Sequence, residues 1–285
     1  MAIRLRDALM HELGSLRYEP TSKRIRATLG DQPVIDTTRA VLVWEPQRVV
    51  PSYAVPVDDV AGEVAAVPGG SAEPPTDLAE IGAPRLGDRV VLDPSVPFSV
   101  HTTAGEDLTI STPDGHQAAG FRTSDPALAG YVVVDFDAFG AWYEEDERNV
   151  SHPRDPFHRI DILHSSRPVR VELDGEVLAE SSRPYLLFET SLPVRYYLPA
   201  EDVRTELLRP SETRTYCAYK GEASYLSSTG QDDVAWTYTD PLREATEITG
   251  RIAFFNERVD LVVDGELLDR PVTPWSRRSP GPDGA

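Results

Sequence analysis

Of the 285 residues only one, Cys217, is cysteine, which excludes an internal disulfide framework and a multi-cysteine zinc site. No apolar run approaches the roughly 20 residues of a membrane span. The opening residues, Met1-Ala2-Ile3-Arg4-Leu5-Arg6-Asp7-Ala8, lack the continuous apolar stretch of a secretory signal. Positive charge is scarce: 28 Lys and Arg stand against 47 Asp and Glu, for a formal net charge of −19. So acidic a surface repels phosphates and anionic lipid headgroups, so neither nucleic acid nor membrane is expected as a partner. These absences together describe a cytoplasmic protein.

What is present suits a folded chain. Hydrophobic residues make up 40%, with 8 Phe, 4 Trp and 11 Tyr to give a core bulk, so disorder throughout is excluded. The length is comfortable for two domains. The 25 prolines punctuate short segments that alternate like strands. Arg24–Leu29 alternates and turns at Gly30-Asp31. Val169–Leu173 alternates and turns at Asp174-Gly175, and Val259–Val263 ends at Asp264-Gly265; Asp-Gly is a strong hairpin signal. The apolar runs Val41–Trp44 and Tyr185–Phe188 predict strands buried on both faces. Two short helices are expected, over Arg4–Leu13 and over Pro199–Leu208, the second opened by its proline and stopped by Pro210. The predicted class is mainly β with minor helix.

An internal repeat follows from one register. An offset of 144 pairs Arg26 with Arg170, Arg39 with Arg183, Leu42 with Leu186, Trp44 with Phe188 and Glu45 with Glu189. After a one-residue deletion Tyr53 pairs with Tyr196 and Asp59 with Asp202, and later Phe121 echoes Trp236. This predicts two tandem β units: a first, degenerate copy over 1–150, a linker over 151–161, a second copy over 162–270 and a disordered tail over 271–285. The stretch from Val67 to Thr76, with Pro68-Gly69-Gly70 and Pro74-Pro75, reads as a loop.

The second copy also carries a resemblance. Ser182-Arg183-Pro184, Leu187-Phe188-Glu189-Thr190, Arg195-Tyr196-Tyr197-Leu198-Pro199 and Asp202-Val203 are followed by Thr215-Tyr216-Cys217-Ala218-Tyr219-Lys220-Gly221-Glu222-Ala223, then Ala235-Trp236-Thr237-Tyr238 and Gly250–Phe255. In that order these motifs resemble the bacterial domain of unknown function 427, and Asp155–Asp161 is similar to the joint segment of its tandem members. The first copy matches mainly at its start. It lacks the Lys-Gly element and has Phe121 in place of the tryptophan. The resemblance implies β-tent-like antiparallel units, two sheets meeting at an angle with an aromatic-lined cleft. Many β-tent relatives bind zinc through paired cysteines; with Cys217 alone, no structural metal and no cofactor are expected. The family has been labelled a nucleotidyltransferase, but no Gly-Ser pair followed by spaced aspartates and no phosphate-cradling glycine loop supports that here.

The candidate ligand-binding residues are Arg183, Glu189, Tyr196, Lys220, Trp236 and Tyr238. Lys220, at a turn set by Gly221, is either a solvated charge or an anion contact. Trp236 and Tyr238 share one strand face and are either core or a stacking platform, with Tyr196 and Tyr219 completing the wall. Arg183 and Glu189 recur as Arg39 and Glu45, which suits an ion pair of the fold as well as a carboxylate clamp and a base. Asp202 reads as a helix-end stabiliser and Cys217 as a buried thiol or a reactive one. His152, His158, Asp161 and His164 fit no zinc spacing and read as a fixed linker. Three readings stay open: a small polar or anionic ligand bound in the aromatic cleft of the second copy, an enzyme on a small or nucleotide-like substrate there, and a non-catalytic interaction scaffold. No catalytic residue and no oligomeric state is assignable from the sequence.

Overall fold

The computed structural model describes residues 2–276 apart from Glu73, Thr76, Asp77, Ala79 and Glu80. The chain is mainly β and its sheets are antiparallel. It divides into two compact units. One comprises residues up to Pro84 and Val90–Asp155; the other comprises Arg85–Arg89 and the chain from Pro156 onward.

Two sheets of the first unit hold eleven strands: β1 (Arg17–Pro20), β2 (Ile25–Leu29), β3 (Gln32–Thr37), β4 (Val41–Trp44), β5 (Ser52–Pro56), β6 (Glu63–Ala72), β7 (Gly105–Ser111), β8 (Gln117–Thr123), β9 (Tyr131–Val134), β10 (Ala141–Glu144) and β11 (Glu147–Asn149). Seven form a sheet in the order β1-β4-β5-β9-β8-β7-β6, and four another in the order β11-β10-β2-β3. Between the sheets lie Ile25, Ala27, Leu42, Trp44, Tyr53, Val55, Leu108 and Trp142. A second cluster, with Val41, Val43, Ala54, Phe121 and Val133, covers the other face of the larger sheet. Successive strand residues point to opposite faces, so the unbroken apolar run Val41–Trp44 supplies both clusters.

The two large sheets of the second unit also hold eleven: β12 (Ile160–His164), β13 (Val169–Leu173), β14 (Glu176–Ser181), β15 (Tyr185–Glu189), β16 (Arg195–Leu198), β17 (Arg209–Cys217), β18 (Gly221–Ser227), β19 (Ala235–Thr237), β20 (Ile252–Phe254), β21 (Asp260–Val263) and β22 (Glu266–Leu267). The seven-stranded order is β12-β15-β16-β20-β19-β18-β17 and the four-stranded order β14-β13-β21-β22. The β13–β14 and β21–β22 hairpins turn at Asp174-Gly175 and Asp264-Gly265, all four with positive φ, as a type I′ turn requires. Val171, Leu186, Tyr196, Leu198, Ala235 and Phe254 fill the space between the sheets. Leu187, Tyr197, Trp236, Tyr238, Ala253 and Phe255 pack on the outer face.

Four expectations are corrected. The second helix is two 3-10 turns, Ala200–Asp202 and Thr205–Leu207, because Val203 between them bridges Ala179 and Arg204 N–H donates to the Leu178 carbonyl. Residues 67–72 are not loop but the end of β6, whose ladder to β7 skips between Ala66 and Ser71. That bulge takes up Pro68-Gly69-Gly70 on an edge strand, where a missing N–H is tolerated. The expected linker 151–161 overlaps β12, which starts at Ile160. Of the expected tail, residues 271–276 are structured: Thr273 is buried, its hydroxyl donates to Glu257, and Pro274–Ser276 form a 3-10 turn. Residues 277–285 lie outside the described residues.

Candidate functional site

Glu189 closes β15 on the outer face of the large sheet of the second unit. Both carboxylate oxygens are engaged: Oε2 accepts from Lys220 Nζ at 2.6 Å, and Oε1 lies 3.0 Å from His158 Nε2. Lys220 is delivered by the turn into β18. Its neighbour Gly221 has φ +93°, and a Cβ there would stand 3.4 Å from Leu242 N. The same turn is tied down by Leu242 N–H donating to the Lys220 carbonyl at 3.0 Å. His158 comes from the segment before β12 and stacks on Tyr219, centroids 4.7 Å apart and planes 26° apart. The side chains of Glu189 and Lys220 are each 9% exposed and that of His158 21%, so solvent reaches this chain of three mainly at the histidine.

Burial alone would push the Glu189 carboxyl up. The Lys220 ammonium and the His158 hydrogen bond outweigh it and bring it down to about 2. Burial pulls the Lys220 ammonium down, but the Glu189 carboxylate, with smaller help from Cys217 and Tyr197, holds it well above its ordinary value. The site therefore holds a charged pair away from water. Burial pushes the Tyr197 and Tyr238 phenols up, so both stay neutral. Cys217 is half-buried, and its sulfur accepts from Tyr219 N–H at 3.4 Å.

The aromatic wall is packed, not open. Trp236 and Tyr238 are 7% and 5% exposed. The Trp236 indole N–H donates to the Tyr197 hydroxyl at 3.0 Å, and its ring lies 4.5 Å from Phe255. Arg195 covers it, the guanidinium carbon 5.5 Å from the Trp236 centroid and 5.4 Å from that of Trp275. Arg195 is itself paired through two nitrogens with Glu257, at 2.7 Å each.

Of the six expected residues, the structure gathers Glu189, Lys220, Trp236 and Tyr238 on one side of the sheet and leaves two outside. Tyr196 points into the inter-sheet core; its neighbour Tyr197 is the one on the site face, as the cross-strand row Tyr197–Ala253–Trp236 dictates. Arg183 precedes β15, six residues before Glu189, about 20 Å along an extended chain. It pairs with Asp202 at 2.8 Å, and Ser181 donates to the same carboxylate at 2.7 Å. This is a strut between loop and turn. The first unit repeats it with Arg39, Asp59 and Thr37. Arg183 and Glu189 therefore do not pair with each other. His158 and Tyr197 were missed. Parity against Trp236 would have found Tyr197, whereas His158 reaches Glu189 across 31 positions with no local signal.

The first unit holds a different arrangement at its equivalent glutamate. Glu45 is buried, with Oε1 2.9 Å from His101 Nδ1, and Oε2 accepting from Thr102 N–H at 2.7 Å. His101 stacks on Phe121 at 3.7 Å. Counted along the ladders, Phe121 faces Asp107 as Trp236 faces Tyr225, so Thr102 stands where Lys220 stands, and a backbone amide replaces the ammonium. Elsewhere in this unit a groove of about 330 Å³ opens between Tyr18, Arg39, Val41, Leu128 and Tyr131. Among the described residues, no three His, Cys, Asp or Glu side chains group closely enough to hold a metal ion. None of their helices is long and apolar enough to cross a membrane.

Residues 161–265 match the family described as Domain of unknown function (DUF427). That span contains Glu189, Lys220, Trp236 and Tyr238 and begins after His158. No curated protein matches the chain.

Proposed function

We propose that the second unit binds a small polar ligand at the His158–Glu189–Lys220 chain. One observation carries this reading: a lysine and a glutamate, both charged and both withdrawn from water, with the carboxylate's second oxygen given to a partly exposed imidazole. A buried ion pair rarely adds net stability over an apolar pair of the same volume, and ionisations displaced this far cluster at functional sites. The packed aromatics Tyr197, Trp236 and Tyr238 serve as the rigid wall that fixes the pair, and the ligand meets His158 first. The burial of Trp236 favours this over a platform on which the ligand stacks, and it is also what a pure scaffold would show. A thermal-shift screen of metabolites against the full chain separates the two: a ligand raises the melting temperature through linkage, and a scaffold responds to none. An enzyme acting in this site would turn over a compound found by the same screen.

We also propose that the first unit is a divergent copy of the second. The eleven strands in the same order, the repeated Arg–Asp strut and the glutamates at one register support this. In that reading His101 and Thr102 satisfy Glu45 internally, and the first copy has exchanged its site for structure.

A further inference from the structure

The chemical class of the ligand follows from how the three polar groups are already paired, an inference that rests on the site proposed above. Glu189 is ionised and has no hydrogen to give, so the 3.0 Å contact with His158 places the hydrogen on the ring's Nε2. The other ring nitrogen, Nδ1, has no hydrogen-bond partner among the described residues of this unit. In the neutral ring it carries a lone pair. This is the arrangement in which a carboxylate fixes a histidine's tautomer and orientation for work at its far nitrogen. The buried cations of this face are already paired, Lys220 with Glu189 at 2.6 Å and Arg195 with Glu257 at 2.7 Å. An incoming anion would find the Lys220 ammonium already neutralised by Glu189, in a chain of net charge −19.

We propose that His158 is the ligand-facing acceptor of the site, its Nδ1 lone pair taking an N–H or O–H of the ligand. The ligand is accordingly a small, uncharged hydrogen-bond donor, not an anion. Lys220 does not touch it; Lys220 keeps Glu189 ionised, and Glu189 keeps the imidazole in one tautomer.

Two measurements on the full-length ¹⁵N-labelled protein test this. A long-range ¹H–¹⁵N spectrum at pH 8.5, with the His158 signals identified by their loss in His158→Gln, is expected to show Nε2 protonated and Nδ1 bare. The Glu189→Gln variant is expected to lose that single tautomer. Nδ1 protonated, or both nitrogens protonated, overturns the inference and leaves the site reading standing. The second measurement follows the same signals against phenol, anisole and benzoate. Phenol is a neutral donor, anisole has the donor blocked, and benzoate is the anion. Phenol is expected to shift His158 Nδ1, with anisole about tenfold weaker, the cost of one hydrogen bond, and benzoate without effect. Benzoate binding as well as phenol also overturns the donor assignment while keeping the site. If the tautomer is as assigned and none of the three probes moves His158, the site reading fails and this inference with it.

Discussion

Glu189 gives one oxygen to an ammonium and the other to an imidazole, and the consequences of removing either partner differ. Lys220→Met leaves a buried carboxylate without its counter-charge, a loss of about 3–5 kcal/mol that a urea midpoint reports directly. His158→Gln removes only a partly exposed hydrogen bond and is expected to cost about 1 kcal/mol. Acid should act on the same pair. The folded Glu189 value of about 2 lies below the ordinary 4.5, so its stabilisation is full above pH 4.5 and is lost as the pH falls from there toward 2. At about 1.4 kcal/mol per unit the loss is on the order of 3 kcal/mol. In Glu189→Gln that part of the acid limb of a stability–pH curve should vanish; an unchanged limb would mean that Glu189 is not ionised in the fold. At this scale the sequence showed Lys220 through its glycine and Glu189 through its recurrence at Glu45. It misassigned Tyr196 because two adjacent tyrosines differ only in strand parity, and parity needs a partner strand to fix it. His158 was illegible because its partner is distant in the chain and the residues around it read as a joint.

At the scale of elements, the turn that presents Lys220 depends on Gly221. Its φ of +93° lies where L side chains are strained, although an added Cβ would meet its neighbours only at ordinary contact distance, 3.4 Å from Leu242 N. Gly221→Ala is therefore expected to lower stability by about 1–3 kcal/mol and to loosen the Lys220–Glu189 pair. Chemical methylation of lysines reads the second effect, since Lys23 and Lys220 are the only lysines: Lys220 should resist in the wild type and react in the variant. Strong local chemistry was legible, as at the Asp174-Gly175 and Asp264-Gly265 hairpins, where the turn type alone selects the residues. Weak local pattern was not. The helical spacing of Val203 and Leu207 yields to a bridge with Ala179, tertiary context overriding propensity. Pro68-Gly69-Gly70 likewise sits in a bulge that only the partner strand β7 makes visible.

At the scale of the chain, two units each carry a core between their sheets and a second apolar cluster on the outer face of the larger sheet. Glu45 and Glu189 lie on that outer side of their units. In the second unit, residues 271–276 complete the far wall of this cluster: Thr273 bonds Glu257, Trp275 covers Arg195, and its carbonyl accepts from Arg258 at 3.1 Å. A chain ending at Arg270 should therefore lose about 1–2 kcal/mol and melt several degrees lower. An unchanged melting temperature would show that the segment is ornamental. Nothing in residues 271–276 marked them as structured, because the glutamate and arginine they cover are brought together only by the fold.

The most direct test of the account is a paired metabolite screen by thermal shift on the wild type and His158→Gln, each as the full chain. At least one small uncharged compound should raise the melting temperature of the wild type and not that of the variant, with its contacts mapping to His158 and Tyr219. A compound that stabilises both proteins equally, or that binds in the first unit between Tyr18 and Tyr131, would contradict it.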